Sequence, residues 1–329
     1  MSLFLNFIVA AVFAGTPLLF GTLGEILNEK SGHLNLGVEG MMMMGACAGF
    51  MAGYASDSLL IALVAAFLAG MLGALIYAVL TVTFMADQNV TGLTLTIFGT
   101  GISNFVGEYM IVNSNTTSLK LPIEITKQLS NINIPGLSDI PVIGKLMFQY
   151  DPFVYLGIAV AVICGVYLNH TKAGLNMRAI GENPAAADAA GIKVTKLKYI
   201  NVLLGGGICG IGGAYCSMII NGGVWMSNSV NGLGWISVAL VIFASWSPTK
   251  AIFGSFIFGA FNVLKYYFPK SIIEVPSAFY DMLPFIITAL VLVITSIRKS
   301  KENSQPESCG VNYYREERIR LFTIIHRCE

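Results

Sequence analysis

The sequence predicts an all-α fold, a polytopic transmembrane helical bundle of about nine spans with two of them broken. Three observations predict it. Of the 329 residues, 55% are hydrophobic and only 11% are charged, where a soluble domain carries about 25% charged residues. Mean hydropathy is +0.72. The apolar residues fall into runs of about 20, the length that crosses the hydrocarbon core of a bilayer.

In chain order the predicted spans are Leu3–Leu23, Leu36–Tyr54, Ser58–Phe84, Val90–Val112, Pro152–Leu168, Tyr199–Ile220, Ser229–Trp246, Ala251–Phe268 and Ala278–Ile297. Counts of roughly eight to ten fit the same boundaries. The first run lacks the basic flank and cleavage site of a removable signal peptide, so it reads as a retained span. The second span opens with SGHLNLGVEGMMMM and the seventh with NSVNGLGWIS. Glycine and asparagine weaken a helix at membrane depth, and irregular backbone survives there only when it lines a cavity or is buried in protein. Glycine-bearing spans follow each, at Gly70 and Gly254, and the two pairs run in opposite directions, as an inverted repeat arranges them.

Lys and Arg set the orientation. With the N-terminus outside, the inner face holds Lys30, Lys172, Arg178, Lys193, Lys196, Lys198, Lys250 and the basic residues from Arg298 onward. The outer face holds only Lys120, Lys127, Lys145, Lys265 and Lys270. That bias predicts N-out and C-in. Residues 1–298 form the membrane domain, with an inner loop at 169–198 and an outer loop at 113–151. Residues 299–329 read as a solvated tail, with YREERIRLF as a short helix. Short interfacial helices are expected in the outer loop, where Asn115-Thr116-Thr117 matches a glycosylation sequon by chance.

Residues 174–198 are polar and basic between apolar neighbours. Asn183 suits an N-cap, Pro184 suits the first helical position, the alanines that follow are strong helix formers, and Gly191 suits a left-handed stop. A capped helix of about two turns with a small-residue surface results. It suits either close docking of a larger body or an ordinary interhelical loop.

Glu39 is the most informative single charge: an acid near the start of a span must face a polar cavity or a partner group. Thr91, Thr94, Thr96, Ser103 and Asn104 make the fourth span polar, and one of its faces could line a pathway or bond a neighbouring helix. Trp225 and Trp235 flank the outer end of the seventh span, as belt residues or as stacking surfaces for a ring-bearing solute. The run Gly205–Gly210 matches G-x-G-x-x-G in form, yet it lies inside an apolar span with no strand before it, so helix packing is its reading. There is no G-x-x-x-x-G-K-[ST] phosphate loop, no paired acids, no His cluster and no C-x-x-C pair. The net charge of +1 gives nucleic-acid binding no electrostatic support.

The segments GEILNEKSGHLNLGVEGMM, RAIGENPAAADAAGI and SWSPTKAIFGSFIFG, with GVNYYREER in the tail, resemble the permease subunits of bacterial ABC importers for nucleosides and simple sugars. The resemblance runs from about Leu23 to Arg318. It implies a permease in the bacterial inner membrane that pairs with a second, related permease. It further implies a cytoplasmic ATP-binding subunit, with two nucleotide-binding modules in one chain in nucleoside-type systems. ATP and magnesium would bind there, and this chain would hold no cofactor. A substrate-binding lipoprotein would deliver a small polar solute, docking on the outer loop. Glu182, Asn183, Pro184, Ala187 and Gly191 match the family's coupling region and are assigned by resemblance to ATPase contact. Asn35 and Glu39 match its broken second span, near the pathway. Competing readings are a sugar permease, an ion-coupled secondary transporter, which needs more buried titratable groups than Glu39 offers, and a membrane enzyme, which lacks a catalytic constellation.

Overall fold

A computed structural model describes residues 3–114, 116–132, 143–267, 277–298 and 304–314. Among these residues the chain is helical, without a strand, and its one isolated bridge joins Lys120 to Val224. The sequon asparagine Asn115, residues 133–142 of the outer loop and all but the first residue of the helix predicted at Tyr314–Phe322 lie outside the described residues.

Helix α1 (Leu3–Lys30) runs beyond its predicted end at Leu23. Glu25, Asn28 and Glu29 look too polar for a span, but the bundle buries all three, so the polar stretch faces protein instead of lipid. Helix α2 (Val38–Ser56) follows an irregular lead-in. Helix α3 (Leu59–Ala78) ends in a π-turn over Val79–Thr83, and α4 spans Gln88–Asn113 behind an Asp87 cap that accepts from the Val90 amide. The outer loop carries α5 (Ile123–Gln128) and α6 (Ile143–Met147). Its first half is not free. Leu119, Leu121 and Ile125 enter the main core, and the Gln128 side chain bonds the backbone of Asp57 and Leu59.

Helix α7 (Pro152–His170) starts on an Asp151 cap that accepts from the amides of Phe153 and Val154. Two short helices follow, α8 (Lys172–Glu182) and α9 (Pro184–Ala189). Helix α10 (Val194–Tyr215) continues as a π-turn over Cys216–Ile220. The second break precedes α11 (Leu233–Phe243), and α12 (Pro248–Tyr267) and α13 (Ser277–Arg298) close the bundle. The α11 helix has 11 residues, a length of about 16 Å, which is short of the hydrocarbon thickness.

Among the described residues five helical stretches are long and apolar enough to cross a membrane: Leu3–Lys30, Leu59–Thr83, Gln88–Asn113, Pro152–His170 and Val194–Ile220. Helix α10 is the central post. It packs on α1, α2 and α3, and its glycines let it do so at close range. The run Gly205–Gly210 lies within this helix, and Gly213 one turn on touches the backbone of α2 so closely that a Cβ would collide with the Met42 carbonyl oxygen. Phe20, Phe50, Phe153, Tyr215 and Trp225 fill the core around it. The packing also repeats: α1 lies on α12 as α10 lies on α3, and α11 lies beside α1 as α2 lies beside α10.

The described part of the tail is only partly solvated: Pro306 and Ser308 are buried, while Ser304, Gln305, Glu307, Val311 and Tyr314 are exposed. Residues 304–314 fold back onto the bundle as a strap. The Ser308 amide donates to the Gly181 carbonyl of α8 at 3.0 Å. Asn312 Nδ2 donates to the carbonyls of Met85 and Ala86 at 2.7 and 3.0 Å, and Gln88 Nε2 donates to Asn312 Oδ1. Burial pushes the Cys309 thiol well above its ordinary pKa. A polar strap stays docked because its polar groups find buried and half-buried carbonyls as partners. Asn312→Ala removes three such bonds, each worth ~1 kcal/mol. We expect the strap of that variant to be cut by protease at least ~10-fold faster. Limited proteolysis of the purified protein, read by mass spectrometry, checks it.

Candidate translocation and coupling sites

The two broken lead-ins meet at one node. Glu39, in the first turn of α2, accepts the amide N–H groups of Gly232 and Gly234 at the start of α11, both at 2.7 Å. A carboxylate at a helix N-terminus satisfies orphan donors and opposes the positive end of the helix dipole. The partner group that sequence chemistry demanded for Glu39 is therefore a backbone about 190 residues away. Asn228 and Asn231 ahead of α11 adopt φ of 57° and 50°, a left-handed conformation that asparagine tolerates better than most residues.

Around this node the polar side chains tie segments together. Asn35 is fully buried. Its side-chain oxygen accepts from the Gly37 amide, and its own amide N–H donates to Glu25 Oε1 at 2.9 Å. Asn28 Nδ2 donates to the other Glu25 oxygen, and Trp246 Nε1 donates to Glu29. Thr96 donates to the Leu36 carbonyl at 2.9 Å. Asn104 and Asn228 pair reciprocally, Nδ2 of the first to Oδ1 of the second and the second's amide back to Oδ1 of the first. Thr96, Thr100 and Asn104 are thus half-buried, at the edge of the inward α4 face that carries Leu95, Gly99, Ser103 and Gly107. Thr94 lies on the other face, exposed, with its hydroxyl bonded to the Val90 carbonyl of its own helix. The two tryptophans also part. Trp225 is buried against Phe50, while Trp235 lines a cavity of about 630 Å³ bounded by α1, α11, α12 and α13.

The second site is the arm formed by α8 and α9. Thr171 caps α8 through its hydroxyl, which accepts from the Gly174 amide. Asn183 Oδ1 accepts from the Ala186 amide at 2.9 Å with Pro184 behind it, and Gly191 ends α9 at φ +83°. Glu182, Asn183 and Gly191 are exposed and Pro184 half-buried, and Ala185, Ala186, Ala189 and Ala190 add an exposed surface of small side chains. Ala187 points the other way. It is buried against Ile180 and Val194 and anchors the arm to α10. From outside the arm, Tyr313 of the strap donates to Asp188 at 3.1 Å. The strap therefore joins the arm to the α3–α4 turn, and through Gln88, whose side-chain oxygen accepts from the Leu34 amide, to the lead-in of α2. Nothing in the tail's composition announced this role, because its partners come from distant parts of the chain.

A bundle with helices long and apolar enough to span a membrane, an irregular lead-in to α2 buried in protein and a small-surfaced arm defines a multi-pass membrane transport protein. Residues 7–292 match the family of branched-chain amino acid transport system permease components, and the chain belongs to that family. The nucleoside ABC transporter permease protein NupC of Lactococcus lactis is 33% identical over 92% of this chain and 94% of its own length. The guanosine ABC transporter permease protein NupQ of Bacillus subtilis is 33% identical over 95% of this chain and 98% of its own. NupP, a second guanosine permease protein of Bacillus subtilis, is 23% identical over 86% of this chain and 80% of its own. The chain is a permease subunit of an ABC importer, a transport component that works with an ATP-binding partner and related permease subunits.

Proposed function

We propose that this permease imports nucleosides, driven by ATP hydrolysis in its partner. The observation that carries the coupling is the α8–α9 arm: a capped helix whose exposed side is nearly all alanine and glycine, anchored through Ala187 to the central helix. A docked body can approach such a surface closely, and a push on it reaches α10 directly. The nucleoside preference is supported by NupC and NupQ, which resemble this chain along nearly its whole length.

In this reading α9 faces an ATPase subunit with two nucleotide-binding modules, where ATP and magnesium bind. Glu182, Asn183, Pro184 and Gly191 present the contact surface, and Ala187 holds it in place. A second, related permease completes the pathway. NupQ and NupP, two related guanosine permeases of one organism, support such a pair. A substrate-binding lipoprotein docks over the outer loop. The N-terminus lies outside and the arm and strap lie in the cytoplasm. Nine helices, α1–α4, α7 and α10–α13, form the membrane domain as an inverted repeat. The repeated packing of α1 on α12 and α10 on α3 supports this arrangement. The Glu39 node, with Asn35, Thr96 and Asn104, is the lock between the two halves that rocking opens.

Affinity purification of the tagged chain from native membranes tests the reading. An ATPase and a second permease should co-purify, and both should be lost when 184–191 is replaced by a Gly/Ser linker. Gly191→Val provides a finer test. Its Cβ meets no atom within 4 Å, so the variant stays foldable, but φ +83° strains any β-branched residue by about 1–2 kcal/mol or more. We expect guanosine uptake into vesicles to fall at least ~10-fold while membrane insertion is unchanged. Normal uptake by Gly191→Val would sink the coupling assignment.

A further inference from the structure

We propose that the cavity between α1, α11, α12 and α13 is the site where the nucleoside rests during passage, an assignment that builds on the nucleoside reading above. The cavity is partly open and measures about 630 Å³, within the range of about 300–1,000 Å³ in which proteins hold small molecules. Its floor is apolar: Leu18 and Phe258 are both fully buried. Trp235 supplies an aromatic wall, with Tyr266 exposed near the rim. A flat aromatic wall suits a flat ring by offset stacking. The walls also carry three carboxamides, Asn221, Asn231 and Asn262.

A carboxamide places a donor and an acceptor side by side, which matches the paired donor and acceptor on the edge of a base. Asn221 has a further property. Among the described residues its Nδ2 is buried without a hydrogen-bond partner. A buried unpaired donor is costly, so turning this amide toward a solute in the cavity sacrifices no bond and gains one. The α11 amides of Gly232 and Gly234 are already bound to Glu39. Recognition in this cavity therefore falls to side chains. The position also suits transport, because α11, which lines the cavity, is the helix whose start is tied to α2 at the Glu39 node. A solute that contacts Trp235 touches the residue next to Gly234, the lock's own donor.

The test uses the complete transporter in proteoliposomes, with radiolabelled guanosine and glucose as probes. Asn221→Ala and Trp235→Ala are each expected to raise the KM for guanosine about tenfold, the effect of one lost buried hydrogen bond or stacking contact. Trp235→Phe, which keeps an aromatic face, should restore most of the loss. A folding or assembly defect would lower the maximal rate and the yield of complex without moving KM, and Asn262→Ala gives a third, independent reading. Guanosine KM values within about twofold of the parent in all three alanine variants would overturn the assignment. Failure of the underlying reading looks different: the parent complex itself would carry glucose and not guanosine. In that event a tenfold rise in glucose KM in the same variants would uphold the cavity as the solute site, and unchanged glucose KM would overturn it.

Discussion

Gly213→Val is expected to abolish recovery of the folded permease. A Cβ at Gly213 would collide with the Met42 carbonyl and crowd the Ala46 amide, both backbone atoms of α2. No rotamer change relieves a clash with backbone, so α2 and α10 must separate. Inserting atoms into a packed interface typically costs about 1–3 kcal/mol where side chains can give way, and here they cannot. Membrane helices associate through close packing rather than a hydrophobic drive, so loss of that packing is loss of the fold. Fluorescence-detected size-exclusion chromatography of the tagged protein checks it: the monodisperse peak should fall at least ~10-fold. Gly101→Val is the matched control. A Cβ there meets nothing within 4 Å, and its peak should equal that of the parent. A normal peak for Gly213→Val would show that α2 and α10 do not meet as described.

Glu39→Ala comes second. It removes the acceptor for both α11 amides at once. Hydrogen bonds to a charged group contribute about 1.5–3 kcal/mol each, and the variant would leave the buried Gly234 amide and the half-buried Gly232 amide without this acceptor. We expect a loss of about 3 kcal/mol or more in thermal unfolding of the detergent-solubilised protein, together with loss of guanosine uptake. Glu39→Gln keeps one acceptor oxygen and should fall between the two. If Glu39→Ala unfolds at the parent temperature, the node does not hold α2 to α11.

The sequence was legible wherever local chemistry decides local structure. The Asn183 cap, Pro184 and Gly191 mark α9 within a few residues, because capping is a contest among neighbouring backbone groups. The breaks before α2 and α11 were visible for the same reason, since NLG and NGLG cannot hold a helix in lipid. Glu39 was visible as a demand for a partner, but the partner was not, because it is backbone brought in by tertiary packing. The extension of α1 through Glu25 and Glu29 was hidden by composition: three polar residues resemble an exit from the membrane until Asn35 and Trp246 are placed beside them. Trp225 illustrates the converse. An aromatic near a span end suits the interface equally well, and only the fold shows it against Phe50. The strap was least legible of all. SQPESCGVNYY is polar, and partners from distant parts of the chain, the carbonyls of Gly181, Met85 and Ala86 together with the side chains of Gln88 and Asp188, make it a packed segment.

The strap also sets an order of events during biosynthesis. Every helix of the bundle, the α8–α9 arm included, leaves the ribosome before residues 304–314 do. Until those residues emerge, the carbonyls of Gly181, Met85 and Ala86 await their final donors, and the arm is held to the bundle by its own contacts alone. A nascent permease with the described helices inserted thus still lacks the last fastening of the α8–α9 arm. A premature stop ahead of Ser308 would leave a full set of helices in that unfinished state, visible to membrane proteases as an unfastened arm.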